Sequence, residues 1–310
     1  MRKQKKYSGV VVPMMTPFTA ELRVDVVGIH KLITHVIDHG AHPFVLGTTG
    51  EAVSISRQQR LVVVKETLAA ASADTIVYAG ISGNSLGDAI EEANAYAALG
   101  VDAVVSTMPS YYPVDDEQIE RYFTQLADAL HCPLIIYNIP ATTHLSIPIA
   151  VADKLSTHPN IAGFKDSEKG TERITAATSL WKDRDDFSYL LGWALMSKSA
   201  LQQGADGIIP SSGNLVPHVY HSIYNAVLNG NEEVANAAQL KGEQVSAMYQ
   251  KDRILSHSLS AFKAMLDVYG LCGPHVLPPL YRMHNEEEFK QNVIERFGDI
   301  HQINSLANVE

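Results

Sequence analysis

Ile161-Ala162-Gly163-Phe164-Lys165-Asp166-Ser167 is the stretch from which the fold can be argued. It is an apolar run that ends in a lysine, and it is too short for a helix. Such a run predicts a strand buried on both faces, which is typical of parallel sheets covered by helices. Lysine is rarely fully buried unless it is paired. Lys165 therefore either reaches solvent at the strand end or is held in an apolar site as an amine that can attack a carbonyl.

The alternation of a short apolar run with a helical pattern extends over most of the 310 residues. Eight such units recur at intervals of roughly 20–30 residues, as a (β/α)8 barrel requires. An open doubly wound sheet is the alternative, but Met14-Met15-Thr16-Pro17 after the first run is not a glycine-rich phosphate turn. The predicted strands are Val10–Met15, Phe44–Leu46, Thr75–Ala79, Ala103–Thr107, Leu134–Tyr137, Ile161–Lys165, Tyr189–Leu191 and Gly207–Pro210.

After residue 230 the pattern is helical without strands, with helices expected at Glu232–Gln250, Ile254–Tyr269 and Glu286–Phe297. We therefore predict an α/β chain with two parts. Residues 1–230 form a (β/α)8 TIM barrel, and residues 231–310 form a C-terminal helical appendage packed on it.

The charge and composition of the chain exclude several classes of binding partner. The formal net charge of −10 argues against nucleic acid and anionic membranes, because both require a basic face. No stretch is apolar over the length needed to span a bilayer. Cys132 and Cys272 cannot make a disulfide framework, which is typical of a cytoplasmic protein. A basic cluster near the N-terminus is expected to be a solvated tail; it consists of Arg2, Lys3, Lys5 and Lys6.

In a barrel enzyme the active site lies at the carboxyl ends of the strands. Tyr137 alone suits core packing, and Gly47-Thr48-Thr49-Gly50 alone suits a turn. Together with Lys165 they supply what an amine nucleophile needs: a hydroxyl for proton transfer and backbone N–H groups that can hold a carboxylate. The groups that this rule gathers around one mouth are Thr48, Thr49, Tyr111, Tyr137, Lys165 and Gly192.

Three motifs resemble those of the dihydrodipicolinate synthase/N-acetylneuraminate lyase family, at similar spacings and over nearly the whole chain. They are Gly47-Thr48-Thr49-Gly50-Glu51, Tyr137-Asn138-Ile139-Pro140 and Gly163-Phe164-Lys165-Asp166. The resemblance implies a class I aldolase on a TIM barrel that handles pyruvate or another 2-keto acid together with an aldehyde. It also implies a homo-oligomer, a tetramer built as a dimer of dimers, and no metal or other cofactor.

The resemblance further implies a role for each residue. Lys165 would form the Schiff base, and Tyr137 would be the general acid/base. Thr48 and Tyr111 would complete a proton relay, with Tyr111 reaching across a dimer interface. Thr48 and Thr49 would bind the pyruvate carboxylate. Gly192, Ile209, Thr142 and Trp193 are the remaining candidates for substrate contacts.

Departures from the family pattern concern the second substrate. The synthase has an arginine for its aldehyde's carboxylate where this chain has Thr142, which cannot replace a bidentate guanidinium. The sialic-acid lyase has two acidic groups where this chain has Ala194 and Leu195. Ser211-Ser212-Gly213-Asn214 and His275–Pro279 are similar to the 2-keto-3-deoxy-sugar-acid aldolase branch. We expect a smaller or less charged partner: the aldehyde half of such a sugar acid, or an aromatic aldehyde.

Other functions remain open at this point. A genuine dihydrodipicolinate synthase or N-acetylneuraminate lyase is the alternative within the family. Ser211-Ser212-Gly213 follows the eighth strand, where many barrels bind phosphate, so a phosphate- or flavin-binding barrel is a second class. A non-catalytic binding protein is a third. His35 and His39 have a spacing that can ligate zinc, but no third ligand is evident in the sequence.

Overall fold

The computed structural model describes residues 5–303. Eight parallel strands close into a barrel in sequence order, so that β1 pairs with both β2 and β8. At least one helix separates each strand from the next. The predicted (β/α)8 barrel is therefore confirmed. Its strands are β1 Gly9–Pro13, β2 His42–Val45, β3 Tyr78–Gly80, β4 Ala103–Thr107, β5 Leu134–Asn138, β6 Ile161–Asp166, β7 Ser188–Leu191 and β8 Gly207–Ile208.

The helices follow the predicted pattern, with some shifts at their ends. Asp25, Ser56 and Asp115 cap three of them by accepting a hydrogen bond from a backbone N–H three residues on. The helices are α1 Val26–Ile37, α2 Arg57–Ala70, α3 Leu86–Leu99, α4 Asp116–Ala129, α5 Pro140–Thr143, α6 Ile149–Leu155, α7 Thr171–Trp181, α8 Ser197–Gln203, α9 Pro217–Leu228, α10 Glu232–Gln250, α11 Leu255–Val268, α12 Glu286–Phe297 and α13 Ile300–Ile303.

Two helix starts differ from what their sequences suggest. Pro148 does not lie in the first turn of α6, because that helix begins at Ile149 and Pro148 is its extended N-cap residue. Ser56 and Gln59 have the spacing of a capping box, but only half of it forms, because the Gln59 side chain accepts from the Val24 N–H instead of reaching back to the cap.

Strand β6 confirms the prediction made for the stretch that contains Lys165. All of its residues are buried except Ala162, which is half-buried. Register along the barrel pairs Tyr137 of β5 with Lys165 of β6, so these two side chains stand side by side at the carboxyl ends of their strands. The interior of the barrel also contains Phe44 and Ile209, in the same buried cluster as Tyr137.

Helices α10 to α13 follow the barrel without further strands among the described residues. Hydroxyl groups join α10 to the turn after β8, since Ser211 bonds to Tyr249 and Ser212 bonds to Ser246. The division at residue 230 stays a prediction, and residues 304–310 of the predicted appendage lie outside the described part. Within residues 5–303, the helices are too short or too polar to cross a membrane.

The N-terminal basic cluster differs from the expected solvated tail. Arg2 and Lys3 lie outside the described residues, but Lys5 is buried. Its ammonium group pairs with Asp206 at 2.9 Å and donates to the carbonyls of Trp181 and Phe187. The prediction was wrong for Lys5 because its partners are distant in sequence and meet it only at the amino-terminal face of the barrel.

Candidate active site

Lys165 is only 3% exposed, at the end of β6. Its Nζ lies 3.6 Å from the ring centroid of Tyr137 and 4.5 Å from that of Phe44. Within residues 5–303 no carboxylate makes an ion pair with it. Burial without a counter-charge holds the pKa of Lys165 well below its ordinary value. The structure therefore places Lys165 in an apolar site instead of in solvent, as the second interpretation of this lysine requires; its role as a nucleophile stays a prediction.

The Tyr137 hydroxyl interacts with the hydroxyls of Thr48 and Ser167, and the Ser167 oxygen lies 3.5 Å away. Burial raises the pKa of Tyr137, an effect that these two neighbours partly offset. The phenol is therefore protonated at neutral pH and can give or relay a proton beside the amine. Of the predicted groups, the structure brings Thr48, Tyr137 and Lys165 together.

The turn that carries Thr48 and Thr49 has an unusual backbone. Leu46 and Glu51, at its two ends, have φ of +57° and +56°, in the left-handed region that non-glycine residues rarely adopt. Gly50 is required between them, because a Cβ there would lie 2.9 Å from the Met14 carbonyl oxygen. Backbone strain of this kind is found mainly where the surrounding structure fixes it at functional sites. Thr48 and Thr49 remain half-exposed, and Thr48 lines the cleft at the mouth of the barrel.

Ser167 was not predicted as a site residue, although it follows the lysine in the stretch that decided the fold. The Ser167 side chain occupies space that is free because residue 192 is a glycine: a Cβ at Gly192 would lie 2.2 Å from the Ser167 oxygen. The backbone N–H of Gly192 also donates to the Asp166 carbonyl at 2.7 Å. Gly192 thus makes room for the serine that approaches Tyr137. Its predicted contact with substrate stays a prediction.

A buried polar network supports the strand ends from behind. The Asp166 carboxylate accepts from Arg173 at 2.5 Å and from Asn138 at 2.9 Å. Arg173 also donates to the Ile147 carbonyl. Because side chains alternate along a strand, Asp166 points away from the side that Lys165 occupies. Arg173 neutralises this carboxylate and is therefore not free to bind substrate. These pairs join separate segments, so no local pattern in the sequence indicates them.

A cleft of about 370 Å³ opens above Tyr137, and we call it the mouth cleft. None of its lining side chains in the described part of the chain is charged. Its residues are Leu46, Gly47, Thr48, Ala52, Val53, Ser82, Gly83, Asn84, Thr107, Met108, Pro109, Ser110, Tyr137, Thr142 and Thr143. Ser82, Asn84 and Ser110 are polar members that the sequence did not point to. They lie on loops after β3 and β4, where no motif marks them.

Six predicted site residues are not among those that line the mouth cleft: Lys165, Thr49, Tyr111, Ile209, Trp193 and Gly192. Tyr111 is 75% exposed on the loop after β4. Ile209 is buried directly after β8. Trp193 is half-buried, and its indole N–H has no hydrogen-bond partner among the described residues. Gly192 lies behind Ser167. The roles assigned to these six residues stay predictions.

The structure does not support the hypothesis that Ser211-Ser212-Gly213 binds phosphate. Ser212 and Gly213 are buried, and the hydroxyl of Ser212 is taken by Tyr220 at 2.5 Å. A Cβ at Gly213 would meet Val12 at 2.7 Å, so this glycine serves packing. His35 of α1 and His39, two residues after the end of that helix, also have other bonds: His35 to the Leu215 carbonyl and His39 to the His35 carbonyl. Among residues 5–303, no three potential ligands gather as a metal site would require.

A (β/α)8 barrel with a desolvated lysine beside a tyrosine at its carboxyl-terminal mouth is the arrangement of a class I aldolase. The model of the dihydrodipicolinate synthetase family matches residues 6–295. An uncharacterized DapA-like lyase of Thermofilum pendens is 30% identical over 289 residues, covering 92% of this chain and 95% of that protein. The chain belongs to the dihydrodipicolinate synthetase family, and it is a class I aldolase or lyase.

Solved structures of members of this family superpose closely on the chain. Dihydrodipicolinate synthase from Bacteroides thetaiotaomicron superposes with a TM-score of 0.89 and 31% identity, covering 95% of this chain and 100% of that one. YagE from E. coli K12, a member of the same family determined in complex with pyruvate, gives 0.87 and 26%, covering 94% and 98%. The family prediction made from the three motifs is therefore confirmed.

Proposed function

We propose that Lys165 is the Schiff-base lysine and that the donor substrate is pyruvate or a closely related 2-keto acid. The observation that carries this proposal is the buried amine, which has no counter-charge in the described part of the chain and packs against Tyr137. Its neutral nitrogen attacks the keto carbon, and loss of water leaves an iminium. This cation draws electrons from the adjacent carbon.

Carbon–carbon chemistry follows from the iminium in either direction. In synthesis, loss of a proton from the methyl carbon gives an enamine, which attacks the aldehyde carbon while the aldehyde oxygen takes up a proton. In cleavage the same bond breaks, the hydroxyl gives up its proton, and the enamine is protonated. Water then releases the 2-keto acid and regenerates the amine. The Tyr137 hydroxyl is the group placed to exchange these protons, with Thr48 next to it.

The carboxylate of the donor belongs at the turn of Thr48 and Thr49. Both side chains are half-exposed and present hydroxyl donors, and the turn that holds them is closed by the Gly50 and Glu51 N–H groups, which donate to the carbonyls of Gly47 and Thr48. A carboxylate held there would keep the keto carbon near Lys165, because Thr48 is next to Tyr137 and Tyr137 is next to the lysine.

We further propose that a second copy of the chain completes the proton relay through Tyr111. This residue, Tyr112 and Val53 are 75%, 73% and 81% exposed, an unusual concentration of large apolar side chains beside the mouth cleft. Dimerisation would bury them, and a dimer of such dimers gives the expected tetramer. A cytoplasmic location agrees with two buried free thiols, Cys132 and Cys272.

Mixing variants tests the shared site. Tyr111→Phe and Lys165→Met proteins should each be poorly active alone. If Tyr111 acts across the interface, hybrid dimers contain one site with both native groups, so mixing with subunit exchange should restore activity to a fraction of wild type. Sedimentation should show an oligomer. No restoration after proven exchange, or a fully active monomer, would contradict the proposal.

The second substrate is best explained as a neutral, hydroxylated aldehyde. The mouth cleft offers hydroxyls and an amide from Thr142, Ser82, Ser110 and Asn84, and its lining residues in the described part of the chain include no cation for a second carboxylate. Arg173, at the start of α7, is held by Asp166. Burying a carboxylate without a charged partner costs a few kcal/mol. The product of synthesis would then be a 2-keto-3-deoxy sugar acid.

A panel of aldehydes tests this specificity. With pyruvate, neutral hydroxyaldehydes should be preferred over aspartate semialdehyde, for which kcat/KM should stay below about 10⁴ M⁻¹s⁻¹. Thr142→Arg should shift the preference towards aspartate semialdehyde by roughly tenfold or more, because a bidentate guanidinium then faces its carboxylate. Thr142→Gln, which is longer but uncharged, is the matched control. An efficient wild-type reaction with aspartate semialdehyde would support the genuine synthase instead.

A further inference from the structure

Two charged side chains that solvent does not reach join the turn of Thr48 and Thr49 to the C-terminal helices. Lys263 Nζ lies 2.6 Å from the Glu51 carboxylate, and the side chains are 0% and 1% exposed. Glu51 ends the Gly47–Glu51 motif, whereas Lys263 lies within α11. Charged groups are almost never this buried. Such a pair persists only when further bonds satisfy both partners.

Those further bonds come from the segment that follows α11. Lys263 donates to the His275 carbonyl at 2.6 Å, and its Nζ lies 4.0 Å from the Phe18 ring centroid. The backbone N–H of Leu277 donates to the other Glu51 oxygen at 2.7 Å. The Glu51 carboxylate therefore has partners on two sides: Lys263 in helix α11, and the Leu277 N–H in the loop that follows this helix.

The backbone of Glu51, which these contacts hold in place, is strained. Glu51 has a φ of +56°, and its N–H bonds to the Thr48 carbonyl at 3.2 Å. A left-handed glutamate is unfavourable in itself, so its conformation has to be imposed by other contacts. The ion pair with Lys263 and the hydrogen bond from Leu277 are contacts of this kind. They fix the end of the turn whose other members face the mouth.

We propose that the Glu51–Lys263 pair is a positioning device, through which the C-terminal helices hold Thr48 and Thr49 in the geometry that binds the substrate carboxylate. The catalytic consequence rests on the proposed function. The structural consequence does not, since it concerns only the order of the turn.

The chain contains a matched control. Lys5 and Asp206 form a second buried lysine–carboxylate pair, at 2.9 Å with side chains 4% and 3% exposed. It also joins segments distant in sequence, but at the amino-terminal face of the barrel, away from the mouth. Loss of either pair should lower the melting temperature. Only loss of the Lys263 pair should affect the turn.

The test compares Lys263→Met with Lys5→Met in the full-length protein. Hydrogen exchange of a peptide covering residues 47–52 should become faster in Lys263→Met and stay unchanged in Lys5→Met. With pyruvate, KM should rise in Lys263→Met by up to about 100-fold, the effect of displacing a positioning group by about 1 Å. Lys5→Met should retain the wild-type KM. If Lys263→Met does not fold, Glu51→Gln replaces it, because it keeps the acceptor for Leu277 and removes only the charge.

Equal exchange of the 47–52 peptide in Lys263→Met and Lys5→Met would overturn the inference, as would an unchanged pyruvate KM in a Lys263→Met protein whose exchange is faster. If the wild-type protein forms no adduct with pyruvate, the proposed function fails. The exchange comparison still decides whether the pair orders the turn, so the two failures can be told apart.

Discussion

Lys165→Met should reduce turnover to the background rate and should at the same time raise the melting temperature. Catalysis is lost because the thioether cannot form an iminium. Stability rises because methionine fills the same apolar space between Tyr137 and Phe44 without an ammonium group to desolvate. A residue that costs stability where it is buried is typical of functional sites.

The pH dependence of this gain has a defined sign. Since the pKa of Lys165 is well below its ordinary value in the folded protein, the unfolded chain binds more protons between the folded and the unfolded pKa. The stability of the wild-type protein therefore rises with pH across that window. The advantage of Lys165→Met should be largest below the folded pKa and should shrink as pH rises towards the ordinary lysine value.

Borohydride reduction with pyruvate, followed by mass spectrometry, checks the covalent step. The adduct should be on Lys165 in the wild-type protein and absent from Lys165→Met. Lys169→Met is the control, because Lys169 is an exposed lysine in the adjoining loop and should be dispensable. An adduct on any other lysine would show that the nucleophile has been misassigned.

Tyr137→Phe should slow turnover by about 10²–10⁴-fold, the usual effect of losing one positioned proton-transfer group. The phenyl ring still packs against Lys165, so trapping of the pyruvate adduct should continue. Loss of turnover with retention of the adduct is the result that separates proton transfer from packing.

Tyr78 provides the control for this variant. It is also buried inside the barrel, but its hydroxyl has no hydrogen-bond partner in the described part of the chain. Tyr78→Phe should keep near-wild-type activity. If Tyr137→Phe behaves in the same way, Tyr137 contributes only to the core.

The fold was predictable because each barrel unit has a local pattern: a short buried run followed by an amphipathic helix. Tyr137 and Lys165 were predictable as neighbours for the same reason, since each ends such a run and β5 pairs with β6. The family motifs added the turn of Thr48, which no periodicity would single out.

Contacts between distant segments were not predictable. Nothing local distinguishes Lys5, which is buried, from Lys6 beside it, which is mostly exposed. Likewise Ser211-Ser212-Gly213 had the composition of an anion-binding turn, and only the tertiary structure shows that Tyr220 and Tyr249 take its hydroxyls. The ion pair of Asp166 with Arg173 is another contact that no local sequence pattern indicates.

The mouth cleft has an evolutionary consequence. Tyr137 and Lys165 are held by strands, whereas Val53, Asn84, Ser110 and Thr142 lie in the connecting segments that follow four different strands. Substitutions in these segments can change which aldehyde is accepted without moving the amine or the phenol. Descendants of one ancestral enzyme could thus diverge in substrate while keeping a single chemistry. A combinatorial library confined to these four positions should yield new acceptor preferences at a far higher frequency than an equal number of changes among the strands.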